Sequence, residues 1–201
     1  MMRFRRTFGF CILSLFCGGT AFVMFGNAAS NFPSLQEPPN LSNASAVVKP
    51  RIFVSLDPVP RAREFKVAVV VDIASGFHMN SHKPSEEYLI ATTLTPKLPP
   101  EFELIDTIYP KGQLEKFSFS PNQPLDVYSG SVTFLLRLSA KAAATLGPTE
   151  IPMVLRYQAC NDSTCLPPVK FPLNAKFELA KEGTTSREIH SEVFSRLVPA
   201  R

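Results

Sequence analysis

Between residues 64 and 73 the chain reads EFKVAVVVDI, which puts Phe65, Val67, Val69, Val71 and Ile73 on one face and Lys66, Ala68, Val70 and Asp72 on the other. A period of two is the mark of a strand with one strongly apolar side, because successive side chains of extended backbone point to opposite faces. Similar runs recur at 51–57 (RIFVSLD), 88–95 (YLIATTLT), 102–109 (FELIDTIY), 131–140 (SVTFLLRLSA), 151–159 (IPMVLRYQA) and 169–180 (VKFPLNAKFELA). Turn-forming clusters separate them: DPVPR, SGFH, PKLPP, YPKGQ, SPNQP and LGPTE. The chain has 19 prolines against 9 glycines. Prolines between short apolar runs suit a chain of strands and turns and oppose a helical bundle. Seven or more short strands at this spacing predict an all-β, two-sheet sandwich of immunoglobulin type, and the longer connections allow Greek-key crossings. The hydrophobic share, 45% of 201 residues, supplies a sizeable core for one such domain. The Cys–Trp–Cys signature of true immunoglobulin domains is absent, since the chain has no tryptophan.

The two ends read differently. Arg3, Arg5 and Arg6 precede an uncharged apolar stretch from Phe8 to Phe25, and Gly26 and Ala28 then stand at the −3 and −1 positions of a signal-peptidase site. This predicts an exported protein with a signal peptide over 1–29, cleaved after Ala28 or Ala29. The rival reading is an uncleaved anchor, since about 18 apolar residues just span a bilayer. A lipoprotein is disfavoured by the bulky Phe16 before Cys17. Residues 30–49, rich in Pro, Ser and Asn, read as a linker before a domain over 50–180. In the tail, 181–201, Thr185 and Glu188 have capping-box spacing, and Ile189, Val193 and Leu197 recur every four residues, so a short C-terminal helix is expected.

Removal of the leader takes three arginines and no acid, so the formal charge falls from +4 to +1. No basic patch remains that would argue for nucleic acid. Cys11 and Cys17 leave too, and Cys160 and Cys165 become the only thiols. In an oxidising compartment an isolated pair is expected to form a disulfide. What it is for stays open at this level. As a staple it closes a loop of only about six residues, worth about 2 kcal/mol in the chain-entropy model, against about 4.7 for a hundred-residue loop. A short bridge at a strand-to-turn corner is also of the more reducible kind. Yet the spacing is not the thioredoxin C-x-x-C, and no βαβ pattern surrounds it. Zinc is disfavoured, because two cysteines supply half a tetrahedral site. His78, Met79 and His82 with the cysteines can be read as a soft copper site, although their spacing fits no fixed ligand pattern.

The stretch YQACNDSTCLPPVKFPL (157–173), with GFHMNSHKPSEEYLIATTL (76–94) and YPKGQLEKFSFSPNQPLDVYSGSVTFLL (109–136) before it, resembles the N-terminal periplasmic domain of the DsbD thiol:disulfide interchange proteins. The resemblance runs from about Arg51 to Leu179, with the three stretches in family order. It implies an immunoglobulin-like sandwich that takes electrons from a thioredoxin-like domain. That sandwich hands them to periplasmic oxidoreductases or cytochrome c maturation factors. Full-length relatives continue into a membrane domain and a thioredoxin-like domain; this chain ends at Arg201, so a separate membrane or thioredoxin-like donor is expected. By the same resemblance Cys165 forms the mixed disulfide and Cys160 resolves it. The segment EKFSFSPNQP becomes a cap loop, with Phe119 first and Phe117 second as the ring that covers the disulfide. Both rings read as exposed on a turn-rich loop. The resemblance puts His78 and Asn80 beside the cysteines, where a protonated histidine would lower a thiol pKa; the competing reading of His78 is an unrelated turn histidine. The acidic residues that the family has next to the cap find no clear match in this sequence, and Glu115 is the nearest. No cofactor is expected, and the partners are thioredoxin-like proteins met by a monomer. The competing reading is a non-catalytic immunoglobulin-like binding or assembly module with a structural disulfide.

Overall fold

The long alternating run becomes β4 (Glu64–Ile73), a central strand flanked by β1 (Val48–Val54) and β10 (Ser131–Ala140), both antiparallel to it. The computed structural model describes residues 41–195. Along the chain from its first described residue come α1 (Leu41–Val47), β1, β2 (Leu56–Asp57), β3 (Val59–Pro60), β4, β5 (His78–Asn80), β6 (Thr93–Pro96) and β7 (Phe102–Ile108). Then follow β8 (Gln113–Phe117), β9 (Ser120–Ser129), β10, β11 (Gly147–Tyr157), β12 (Ala159–Cys160), β13 (Val169–Ala180), β14 (Arg187–Glu188) and α2 (Ser191–Phe194).

The strands form a sandwich-like all-β fold. One sheet has the order β1-β4-β10-β7, another β3-β13-β11-β6, and a third β12-β5-β9-β8; β14 and β2 make a small pair. Phe65, Val67, Val69 and Val71 of β4 share one core with Phe134, Leu136 and Leu138 of β10 and with Ile151, Met153, Leu155 and Tyr157 of β11. Burial of these side chains is the main stabilising term, about 1.5–3 kcal/mol for each large one. The third sheet is attached to this core by one face only. Met79, Tyr128 and Ala159 belong to the core cluster, whereas Phe117, Leu125 and Val127 form a separate small cluster with Leu89 against it. Strand alternation sorts them: Tyr128 lies between Val127 and Ser129, and Met79 between His78 and Asn80, so neighbours point to opposite faces.

Four expectations change. The linker read over 30–49 is folded from Leu41 onward: α1 covers Leu41–Val47, Ala44 is buried, and the Tyr157 hydroxyl donates to the Ala44 carbonyl at 3.2 Å. The strand expected over 88–95 shrinks to β6. Tyr88 is exposed, and Thr92 instead turns its hydroxyl to the Asn80 carbonyl at 2.6 Å. The cluster SPNQP lies inside β9 rather than in a loop; its prolines stand outside the stretch Val127–Ser129 that pairs with β5, so no ladder hydrogen bond is lost there. The capping box at Thr185 and Glu188 does not open the C-terminal helix. Glu188 pairs with Leu56, and α2 starts only after His190, whose φ is 55°. The signal peptide over 1–29, the linker up to residue 40, and Leu197 lie outside the described residues.

Candidate functional site

At the end of β11 the core strand gives way to β12, and the chain then reverses through Asn161–Thr164. Asn161 drives the reversal. Its side-chain oxygen accepts the backbone N–H of Ser163 at 3.0 Å and of Thr164 at 2.8 Å, and the Ser163 hydroxyl at 3.2 Å. Such an Asx turn is the habit of asparagine, whose amide mimics a backbone carbonyl. The Asn161 N–H also bonds the Thr164 carbonyl at 2.9 Å, and the Leu166 N–H bonds the Ala159 carbonyl at 2.8 Å. Cys165 is thereby laid antiparallel to Cys160, and the two form a disulfide with Cα atoms 4.0 Å apart. The pair is asymmetric: Cys160 is 1% exposed, while Cys165 faces solvent. Of the two, only Cys165 is accessible from outside.

The strand beside Cys160 is β5. His78 stands directly opposite Cys160 on one side and opposite Ser129 on the other. Directly paired residues of antiparallel strands share a face. The His78 ring stacks on Phe117, with centroids 4.1 Å apart and planes 25° apart, and Phe117 stacks on Phe119 at 5.3 Å and 9°. These two phenylalanines close the β8–β9 hairpin, where Phe117 pairs with Ser120 and only Ser118 and Phe119 lie between. The Ser118 hydroxyl donates to the Asp162 carbonyl at 2.9 Å, which ties the hairpin tip to the cysteine loop. The Ser129 hydroxyl donates to a Glu115 carboxylate oxygen at 2.9 Å. Burial pushes the His78 imidazole below its ordinary range, against the upward pull of the Glu115 and Asp162 carboxylates.

The residues singled out in the sequence therefore meet unequally. Cys160, Cys165 and His78 converge. Phe117 is not an exposed loop residue: it ends a strand and is buried with Leu125 and Val127, because its ring is covered by His78 on one side and Phe119 on the other. Phe119 is 50% exposed at the tip. Asn80 is committed elsewhere, since its amide donates to the Ile90 carbonyl at 3.2 Å and it pairs with Val127 rather than with a cysteine. The copper set is dispersed. Met79 is in the main core, and His82 lies flat on Tyr109 at 3.6 Å with its Nδ1 against the Thr92 carbonyl. Among the described residues no group of three or more metal-binding His, Cys, Asp or Glu comes together. Asn161, Ser118, Ser129 and Asp162 were missed in the sequence. The Asn-Asp-Ser turn signature could have revealed the first; the others depend on long-range register.

The family model described as thiol:disulfide interchange protein DsbD, N-terminal, matches residues 45–172, more than half of the chain. No curated protein matches. Among solved structures, the chain is similar to the reduced N-terminal domain of DsbD from Neisseria meningitidis, at 19% identity and a TM-score of 0.41, over 76% of this chain and 94% of that one. It is also similar to the N-terminal periplasmic domain of ScsB from Proteus mirabilis, at 14% identity and a TM-score of 0.43, over 64% of this chain and 46% of that one.

Proposed function

The chain belongs to the family of DsbD N-terminal domains, thiol:disulfide interchange domains, and on that premise we propose that it passes electrons between thioredoxin-like partners through Cys160 and Cys165. A partner thiolate attacks the Cys165 sulfur in line, the bond to Cys160 breaks, and a mixed disulfide forms on Cys165. The partner's second thiol then releases Cys165, leaving the reduced pair ready to reduce an acceptor by the reverse sequence. Cys160 is the resolving residue. The stack of Phe117 and Phe119 acts as the cap that a partner must displace. The work is done in the periplasm, after removal of residues 1–29, as a protein-disulfide reductase. The donor is a thioredoxin-like domain, and cytochrome c maturation is among the destinations of the electrons.

One observation carries this reading: an exposed cysteine bonded to a buried one, in a loop whose turn is already closed by main-chain and Asn161 hydrogen bonds. A bridge needed only as a staple would do little here, because the turn it closes is held without it. The deciding experiment is capture of the intermediate. With Cys160→Ala in the exported protein, adducts that a reductant releases should accumulate on Cys165 and contain thioredoxin-like proteins. No adducts, together with a reduction potential below about −300 mV, would establish the inert bridge of a binding module; a value of about −230 to −180 mV is expected.

A further inference from the structure

Attack at Cys165 leaves a negative charge on the sulfur of Cys160, a residue only 1% exposed. Burial disfavours a thiolate and raises its pKa, which makes it a slow leaving group. The neighbours come from three elements and a loop. His78 reaches the spot from β5, Glu115 and Phe117 from β8, Ser129 from β9 and Asp162 from the cysteine loop. The two charged groups that act on His78 are carboxylates, and a carboxylate repels a thiolate. His78 has the donor that could offset this. Its Nε2 is buried and has no hydrogen-bond partner, which is costly for a polar atom and unusual in a folded protein. It belongs to the residue directly paired with Cys160, and side chains so paired have Cβ atoms about 4.5–5.5 Å apart on one face.

We infer that His78 is a positioning residue for the exchange, whose unpartnered imidazole N–H hydrogen-bonds the Cys160 sulfur once the disulfide opens. The inference rests on the interchange reading. The step balances without a further reagent. The partner's thiolate pair makes the new S–S bond to Cys165, the old S–S pair stays on the Cys160 sulfur, and one negative charge moves from the partner to Cys160. His78 donates a hydrogen bond and keeps its proton. The same imidazole is the base of the stack under Phe117, so the group that receives the leaving sulfur also supports the cap.

The test needs no partner protein. In the full chain with Cys11→Ser, Cys17→Ser and Cys165→Ala, Cys160 is the only thiol, and its ionisation is followed by thiolate absorbance against pH. His78→Phe keeps an aromatic ring against Phe117 but has no donor, and should lower the acid-dissociation constant of Cys160 about tenfold, as expected for loss of one charge-assisted hydrogen bond. His78→Gln restores an N–H and should titrate close to the parent. Equal titration of all three overturns the inference. A readout free of substitution guards against misfolding: in the unaltered chain the His78 imidazole nitrogen resonances should shift between the disulfide and dithiol forms, and identical resonances overturn it too. Capture of mixed disulfides tests the interchange reading separately, so either can fail while the other stands.

Discussion

The main core and the cysteine-bearing sheet are made of the same alternating strands, yet they are filled differently. In the core, β4, β10, β11 and β13 interlock large side chains from two sheets, and Phe65, Phe134, Leu136, Ile151 and Leu155 are all fully or nearly fully buried. The site face of β12-β5-β9-β8 has only Phe117, Leu125 and Val127 as its buried apolar cluster, with Leu89 against it. Cys160 and His78 stand on a sheet whose other face is held to the core by Met79 and Tyr128. Local opening is cheapest where apolar contacts are few. Stability and reactivity are thus placed on opposite faces of the same short strands. The hairpin tip from Phe117 to Ser120 lies on the cluster face and contributes no residue to the main core.

The largest break in this comparison is expected from Phe134→Ala. The ring is wholly buried and meets Tyr109 at 5.7 Å and Tyr128 at 5.5 Å, edge to face. Truncation should cost about 3–5 kcal/mol in urea unfolding. Under native conditions the rate at which a small thiol reduces the disulfide should stay within about twofold of the parent, since the core does not touch the chemistry. A parallel rise in that rate would mean the two faces are coupled.

Opening the disulfide is the next largest change. It removes about 2 kcal/mol of loop-closure entropy. Because the Asn161 turn and the bond from Leu166 to Ala159 remain, far-ultraviolet circular dichroism should not change on reduction at room temperature. Unfolding on reduction would make the bridge structural.

How much of this was legible depends on how far apart the partners are in sequence. The run at 64–73 was readable because alternation is local, and β4 has the same bounds. The cysteine pair was readable for the same reason. By contrast, α1 was hidden under Ser and Asn that read as linker, and its anchor is Tyr157, more than a hundred residues away. The β8–β9 hairpin was hidden because Pro121 and Pro124 read as loop, while the pairing that tolerates them depends on how short β5 is. Glu115 stood unmatched in the sequence. Its link to His78 runs through Ser129, a register relation that no window of neighbouring residues contains.

Tyr157 offers a smaller test on the core side. Burial pushes its hydroxyl up to about 12 from an ordinary 10.0. The folded state therefore holds the proton more tightly than the unfolded one. Its contribution is complete below about pH 10 and is lost as pH rises toward 12. Tyr157→Phe should cost about 1 kcal/mol at neutral pH, through the bond to Ala44, and should flatten this alkaline limb in a pH series of unfolding curves. An alkaline limb identical to the parent's would show that the buried Tyr157 hydroxyl does not titrate above its ordinary range.

The smallest expected effect on stability belongs to Phe119, and it sharpens the comparison most. Half of this side chain is already in solvent, so Phe119→Ala should shift unfolding by only about 0.5 kcal/mol. Its ring nevertheless lies flat on Phe117, and Phe117 on His78, opposite Cys160. Removing the outer ring uncovers the inner one, and Ser118 then holds the tip to Asp162 through a single hydrogen bond. If the stack is a cap, reduction by a small thiol should quicken several-fold in Phe119→Ala. Phe117→Ala should quicken it further, at a real cost in stability, because that ring is part of the small buried cluster. Ser118→Ala should act in the same direction with every ring still present. Rates unchanged in all three would reduce the stack to ordinary packing. A faster rate in Phe117→Ala alone would assign the cap to the buried ring and leave Phe119 as a surface for partners.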